Sequence, residues 1–228
     1  MKIYFKELAE EIGINLDDHQ LELFKRYYEH LIEWNNKINL TAITEEKEVY
    51  IKHFFDSLCF SKIKMLNDES LLDVGSGAGF PSIPLLIAFP NLKITIIDAQ
   101  RKRIHFLESL IAELDLQVKL IHGRAEEFLF KNHFDVVTAR AVSNMQLLTE
   151  LCLPFARVGG DFIALKGPKY KEELDQSMNA IKILGGTIDK VITYELNQQS
   201  RALIDIKKIE KTKSIYPRKY SQIKKNPL

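Results

Sequence analysis

The chain has 228 residues, of which 46% are hydrophobic and 28% charged, and its net charge is +1. That length and apolar content suit one large globular domain, or one domain with a small appendage, and no stretch reaches the roughly 18 apolar residues of a membrane span. The opening Met1-Lys2-Ile3-Tyr4-Phe5-Lys6-Glu7 is too charged for a secretory signal, and the distant Cys59 and Cys152 make neither a disulfide framework nor a metal spacing, so a cytoplasmic, metal-free protein is expected.

Residues 1–60 read as helices. Leu21, Phe24, Tyr28, Leu31 and Asn35 recur at steps of three or four, and the first four give an apolar stripe that Asp17 or Asp18 can cap at its start. A turn through Asn36–Thr41 leads to a second helix near Glu45–Phe60, with Val49, Phe54 and Leu58 on one side. From Ser70 the chain alternates. Strands are predicted at 70–74, 93–98, 117–121, 134–138 and 161–166, with helices near 81–89, 101–114, 143–156 and 170–184 between and after them. The ending differs: 187–196 and 200–209 are separated by only Asn197-Gln198-Gln199, which predicts an antiparallel hairpin. Three parts follow: an N-terminal helical segment (1–62), an α/β core (63–210) and a tail (211–228).

The charge is uneven along these parts. Eight Lys/Arg against Glu210 give the stretch from Lys207 to Leu228 a charge of +7, which leaves −6 on residues 1–206. A basic end on a mildly acidic body points to an anionic partner, RNA first. Arg218 and Lys219 belong to that end.

The first predicted strand runs into Asp73-Val74-Gly75-Ser76-Gly77-Ala78-Gly79-Phe80-Pro81. Three glycines spaced one apart permit positive φ and close approach of backbone to a ligand, and Pro81 suits the first turn of a helix. A strand, a glycine turn and a helix start make a ligand shelf at the carboxyl edge of a sheet. A dinucleotide fingerprint needs its third glycine one residue later, where Phe80 stands. Asp98 ends the next strand 23 residues beyond Gly75, near the spacing at which a carboxylate takes both hydroxyls of a ribose. That supports a nucleoside ligand and does not by itself separate S-adenosylmethionine (SAM) from NAD.

The glycine run resembles the E/D-x-G-x-G-x-G loop of class I SAM methyltransferases, and five alternating strands plus a hairpin match their seven-stranded sheet. A narrower resemblance covers nearly the whole chain. Asp73–Pro81, Gly123-Arg124-Ala125-Glu126, Thr138-Ala139-Arg140-Ala141, Leu165-Lys166-Gly167, Trp34–Thr41, His53–Leu58 and the tail Tyr216-Pro217-Arg218-Lys219 … Lys225-Asn226-Pro227-Leu228 are similar to successive motifs of the bacterial small-subunit rRNA guanine-N7 methyltransferases (RsmG, or glucose-inhibited division protein B). Ser82 stands where that family usually has glycine.

The resemblance implies a SAM-dependent enzyme that methylates N7 of a guanine in 16S rRNA. It implies cofactor contacts at Gly75, Phe80, Ala125, Glu126 and Arg140, beside Gly77, Gly79 and Asp98. Lys166, at the end of the fifth strand, is a candidate for guanine O6 or phosphate, and Arg201, at the start of the last, for the RNA backbone. His53 and Asp56, one turn apart, can line the substrate side. N7 carries a lone pair and no hydrogen, so no proton-abstracting residue is expected; the adenine-type N/D-P-P-Y/F/W motif is absent after the fourth strand, and neither cysteine is placed as a nucleophile. A monomer acting on the small ribosomal subunit is expected. The competing readings are an NAD-dependent oxidoreductase, a methyltransferase for another RNA base or a protein, and a non-catalytic ribosome-assembly factor.

Overall fold

A computed structural model describes residues 1–140 and 143–228. The chain opens with two helices, α1 (Lys2–Glu11) and α2 (Asp18–Ile38). Asp17 starts α2 with a capping box: its side chain accepts from the Gln20 backbone N–H, and the Gln20 side chain accepts from the Asp17 N–H. The buried face of α2 is Leu21, Leu23, Phe24, Tyr27 and Leu31. Tyr27, rather than the expected Tyr28, points into the core; Tyr28 is half-buried.

The second predicted helix is composite. It runs through α3 (Glu46–Val49), a π-helical stretch (Tyr50–Phe55), α4 (Asp56–Leu58) and a 3-10 turn (Cys59–Lys62). The wider π turn is common at functional sites.

The remaining elements follow the predicted alternation: β1 (Ser70–Val74), α5 (Ser82–Ala88), β2 (Lys93–Asp98), α6 (Arg101–Glu113), β3 (Val118–His122), β4 (Phe134–Arg140), α7 (Met145–Cys152), β5 (Ala156–Lys166), α8 (Tyr170–Ile183), then β6 (Gly186–Leu196) and β7 (Gln199–Lys208). The tail carries α9 (Tyr220–Lys225). The strands form one sheet in the order β3-β2-β1-β4-β5-β7-β6. The first five are parallel, and β7 is antiparallel to both β5 and β6. The strand order reverses between β1 and β4, and a crevice opens at the carboxyl ends there.

Each sheet face buries its own core. On one face Leu71, Ile94, Val136 and Ile163 pack with Phe5, Phe24, Phe54 and Phe106. On the other, Leu72, Val137, Phe162 and Ile204 pack with α7, α8 and Ile223 of α9. Near-continuous apolar strands are what a parallel sheet covered on both faces requires.

Candidate active site

At the switch point the three glycines divide the work. All have positive φ: 74° at Gly75, 63° at Gly77 and 94° at Gly79. A Cβ added at Gly77 would meet nothing within 4 Å, so this residue opens onto free space. One added at Gly79 would lie 2.8 Å from both the Tyr27 hydroxyl and Ile83 Cγ1. Gly79 therefore serves the packing of α2 on the loop, and the Tyr27 hydroxyl donates to the Ala78 carbonyl there.

Gly75, Gly77, Phe80, Asp98 and Arg140 line a cavity of about 470 Å³, roofed by Leu40, Thr41 and His53 from the N-terminal segment. Asp98 is 3% exposed at the end of β2. One of its carboxylate oxygens accepts the Gln100 N–H at 2.8 Å; the other accepts the Gly77 N–H at 3.3 Å and faces Arg103 at 3.5 Å. Those bonds fix the carboxylate beside the glycine turn. Asp73 lies beneath the loop, fully buried, and burial pushes its carboxyl up to about 7. It accepts the Ser82 N–H at 3.3 Å, and Ser82 is itself fully buried. The first amide of α5 is thus directed at Asp73, away from the cavity.

The inner wall is a stack. The Phe80 ring lies parallel to Tyr27 on one side (centroids 5.5 Å apart) and to His53 (4.6 Å), and the Arg140 guanidinium sits 4.6 Å from its centroid. Arg140 Nη1 is 3.3 Å from an Asp56 carboxylate oxygen, and Nη2 is 3.3 Å from His53 Nδ1. An arginine only donates, so Nδ1 accepts and the His53 proton resides on Nε2, which donates to Thr41 Oγ1 at 2.8 Å. Burial and the adjacent Arg140 charge hold His53 far below its usual range, at about 3. His53 is a neutral wall at physiological pH.

His53 and Arg140 also border a second cavity of about 490 Å³, which extends under the ends of β5, β6 and β7. Lys166 and Arg201 line it with Asp56, Glu173 and Tyr194. Asp56, 6% exposed, accepts the Tyr194 hydroxyl at 2.8 Å on the oxygen that also faces Arg201 Nε at 3.8 Å. The structure thus brings together Gly75, Gly77, Phe80, Asp98 and Arg140 around one cavity, and His53, Lys166 and Arg201 around its neighbour.

Other expected residues stand elsewhere. Ala125 and Glu126 form a 3-10 turn after β3 and are not among the residues lining either cavity. Glu126 accepts the backbone N–H of Tyr220 at 3.1 Å, which ties that turn to the tail. Arg218 is not a free cation. Its Nε and Nη2 lie 2.8 and 2.6 Å from the two carboxylate oxygens of Glu150, whose side chain is fully buried. Lys208 is also fully buried and donates to the Leu153 and Leu184 carbonyls. Lys219 is exposed. The basic end is in part a docked structural element.

Thr41, Gln100 and Arg103 line the first cavity without having been singled out in the sequence. Arg103 had a local signal, since it lies in the first turn of the helix that follows Asp98; Thr41 lies in the Trp34–Thr41 stretch that carries the resemblance, and only the fold brings it to the loop. Among the described residues no group of three or more His, Cys, Asp or Glu is arranged to hold a metal.

The chain is similar to known proteins along nearly its whole length. The family described as rRNA small subunit methyltransferase G (GidB) matches residues 20–204. The chain belongs to this family. The ribosomal RNA small subunit methyltransferase G of Exiguobacterium sibiricum is 50% identical over 97% of the chain and 96% of that protein, and that of Bacillus cytotoxicus is 48% identical over 98% and 97%. Among solved structures, a methyltransferase from Pyrococcus furiosus superposes with a TM-score of 0.60 at 17% identity, covering 81% of this chain and 98% of that one. M. jannaschii TYW2, solved with AdoMet, gives 0.55 at 16% identity over 64% and 72%. These structural likenesses establish the class I methyltransferase fold, and the methyltransferase G sequences establish the family.

Proposed function

We propose that the protein transfers a methyl group from SAM to N7 of one guanine in 16S rRNA. The observation that carries this reading is the near-full-length identity to the methyltransferase G relatives. The site supports it. The first amide of α5, the helix behind the glycine loop, is taken by Asp73, so that helix start is not offered to a pyrophosphate. That fits a phosphate-free nucleoside such as SAM better than NAD. In this reading Asp98 holds the ribose, Gly75 and Gly77 give room to the methionine part, Gly79 shapes the loop, and Phe80 and Arg140 bound the reacting end. Ala125 and Glu126 flank the adenine side as a turn braced by the tail.

Bound SAM supplies an electrophilic methyl on a sulfonium. The chain's part is to hold the acceptor in line with it. The His53–Phe80–Arg140 wall separates the two cavities and marks where they meet. Both ring nitrogens of neutral His53 are engaged, by Thr41 and Arg140, and a nucleophile without a hydrogen needs no base. Alignment of two reactants can supply about 7–11 kcal/mol of a barrier. Lys166 and Arg201 bind the target nucleotide on the far side, and exposed Lys219 with its basic neighbours meets RNA phosphates.

Residues 63–210 act as the catalytic core, 1–62 as its roof and 211–228 as a docked tail. Among the described residues no helix is long and apolar enough to cross a membrane; an enzyme of rRNA works in the cytoplasm, and both sheet faces are covered by the chain's own helices, which supports a monomer. The substrate is the small ribosomal subunit, whose target guanine must be splayed out to reach the recessed wall.

The test is transfer of labelled methyl from SAM to small subunits lacking the modification, with the labelled base mapped. Label at N7 of one guanine is the expected result. Label elsewhere assigns another substrate; no label and no SAM binding makes the protein an assembly factor.

A further inference from the structure

Methyl transfer to N7 does not account for the partner of Lys166 in the second cavity, the half-buried Glu173, which makes an acid–base pair facing the space where the target base would lie. Lys166 Nζ stands 2.5 Å from Glu173 Oε2 and donates to the Ser143 carbonyl at 2.9 Å. The same Glu173 oxygen accepts the Met145 N–H at 3.1 Å. The Lys166 side chain is 7% exposed and that of Glu173 24%. Both line the cavity. One ammonium donor and the second carboxylate oxygen, Oε1, therefore have no partner among the described residues, while the pair is held in place by two backbone groups beside the start of α7.

A donor next to an acceptor, each held in a fixed orientation, is a reader of hydrogen-bonding edges. Guanine presents the O6 acceptor and the N1–H donor side by side. Adenine presents the reverse, a donor at N6 and an acceptor at N1. An ammonium beside a carboxylate matches guanine at both positions and opposes adenine at both. Position agrees with this. O6 lies between N7 and N1 along the base edge, and Lys166 follows Leu165, the β5 residue in register with Arg140. A base with N7 toward the Arg140 wall turns O6 and then N1 toward the end of β5 and the first turn of α8.

We propose that Lys166 and Glu173 together read the O6/N1–H edge of the acceptor, with Glu173 the residue that selects guanine against adenine. This rests on the guanine-N7 reading above. Glu173 is a specificity residue here, and the reacting atoms lie one ring away from it. A carboxylate left facing an adenine N1 lone pair loses its hydrogen bond and meets a like dipole, a mismatch of the kind that sites built around buried polar groups reject strongly.

The experiment compares wild type with Glu173→Gln on 16S rRNA transcripts, assembled into subunits, that carry guanine or adenine at the position the wild type labels. SAM affinity and melting temperature are measured in parallel. The expected result is a loss of about tenfold or more in kcat/KM on guanine, a guanine-to-adenine preference narrowed by a similar factor, and SAM affinity unchanged within about twofold. Glu173→Asp, which keeps the charge on a shorter arm, retains the preference better than the amide. The inference is overturned if Glu173→Gln lowers guanine and adenine rates equally, as a brace for Lys166 alone would, or if it keeps full activity on guanine. Failure of the wild type to label any guanine N7 overturns the function itself and is read from the wild-type arm alone.

Discussion

Asp56 joins Arg140 to Tyr194: one carboxylate oxygen lies 3.3 Å from the guanidinium and the other accepts the tyrosine hydroxyl at 2.8 Å. The three side chains come from α4, β4 and β6, so this carboxylate fixes the wall between the cavities from three directions. Asp56→Asn removes the charge from a group 6% exposed and leaves Arg140 without a counter-ion. Hydrogen bonds to charged groups are worth about 1.5–3 kcal/mol. We expect kcat/KM to fall by about tenfold to a hundredfold, with kcat more affected than SAM affinity. A variant with wild-type kcat would show that Arg140 holds its place without Asp56.

Arg218 and Glu150 give the second prediction. Removing Arg218 strands a carboxylate with no exposed surface, which costs about 3–5 kcal/mol in comparable pairs. Arg218→Ala is expected to lower the denaturant midpoint of unfolding strongly, and the apolar double replacement Glu150→Leu with Arg218→Met should recover most of the loss. Truncation after Glu210 also removes Ile223, so it should destabilise the fold and not merely weaken RNA binding. A truncated chain that keeps wild-type stability and loses only RNA affinity would overturn this.

The loop glycines should respond differently to alanine. Gly77→Ala meets open space and bears only its positive φ, about 1–2 kcal/mol. Gly79→Ala bears the same strain and also drives a Cβ into Tyr27 and Ile83, adding about 1–3 kcal/mol. Thermal melting should rank Gly79→Ala clearly below Gly77→Ala. Equal melting temperatures would show that the Tyr27 contact yields freely.

His53 sets an acid limit. Its imidazole titrates near 3 in the folded chain and near 6.5 when unfolded, so between these values the unfolded chain holds the extra proton. Stability contributed by the neutral ring is complete above pH 6.5 and falls as the pH drops through that window. Between pH 6.5 and 5 the loss is about 1 kcal/mol after allowing for the ring's partial exposure. His53→Asn should lose less stability than wild type over that interval; parallel acid melting curves would exclude the linkage.

Much of this was legible in the residues because it is local. Alternating apolar runs and the Asn197-Gln198 turn specify the sheet and its antiparallel end, and Gly75, Gly77 and Asp98 mark the cavity through spacings within one strand–turn–helix–strand unit. Partnerships across the sequence were not legible. Tyr27 was hidden because it sits one residue off the stripe that periodicity picks out, and its reason is Gly79, some fifty residues later. Arg218 looked like a solvated cation because no local pattern announces that Glu150, mid-helix, would be buried. Glu126 reads as a helix-start acid, and only the fold shows Tyr220 above it.

The wall of His53 and Arg140 belongs to both cavities. Occupancy on one side that shifts either side chain therefore alters affinity on the other, and thermodynamic linkage makes the two effects equal in size. Whatever factor the nucleoside adds to RNA affinity, RNA must return to the nucleoside. Neither ligand's dissociation constant is then a property of its own cavity, and each has meaning only with the occupancy of the other stated.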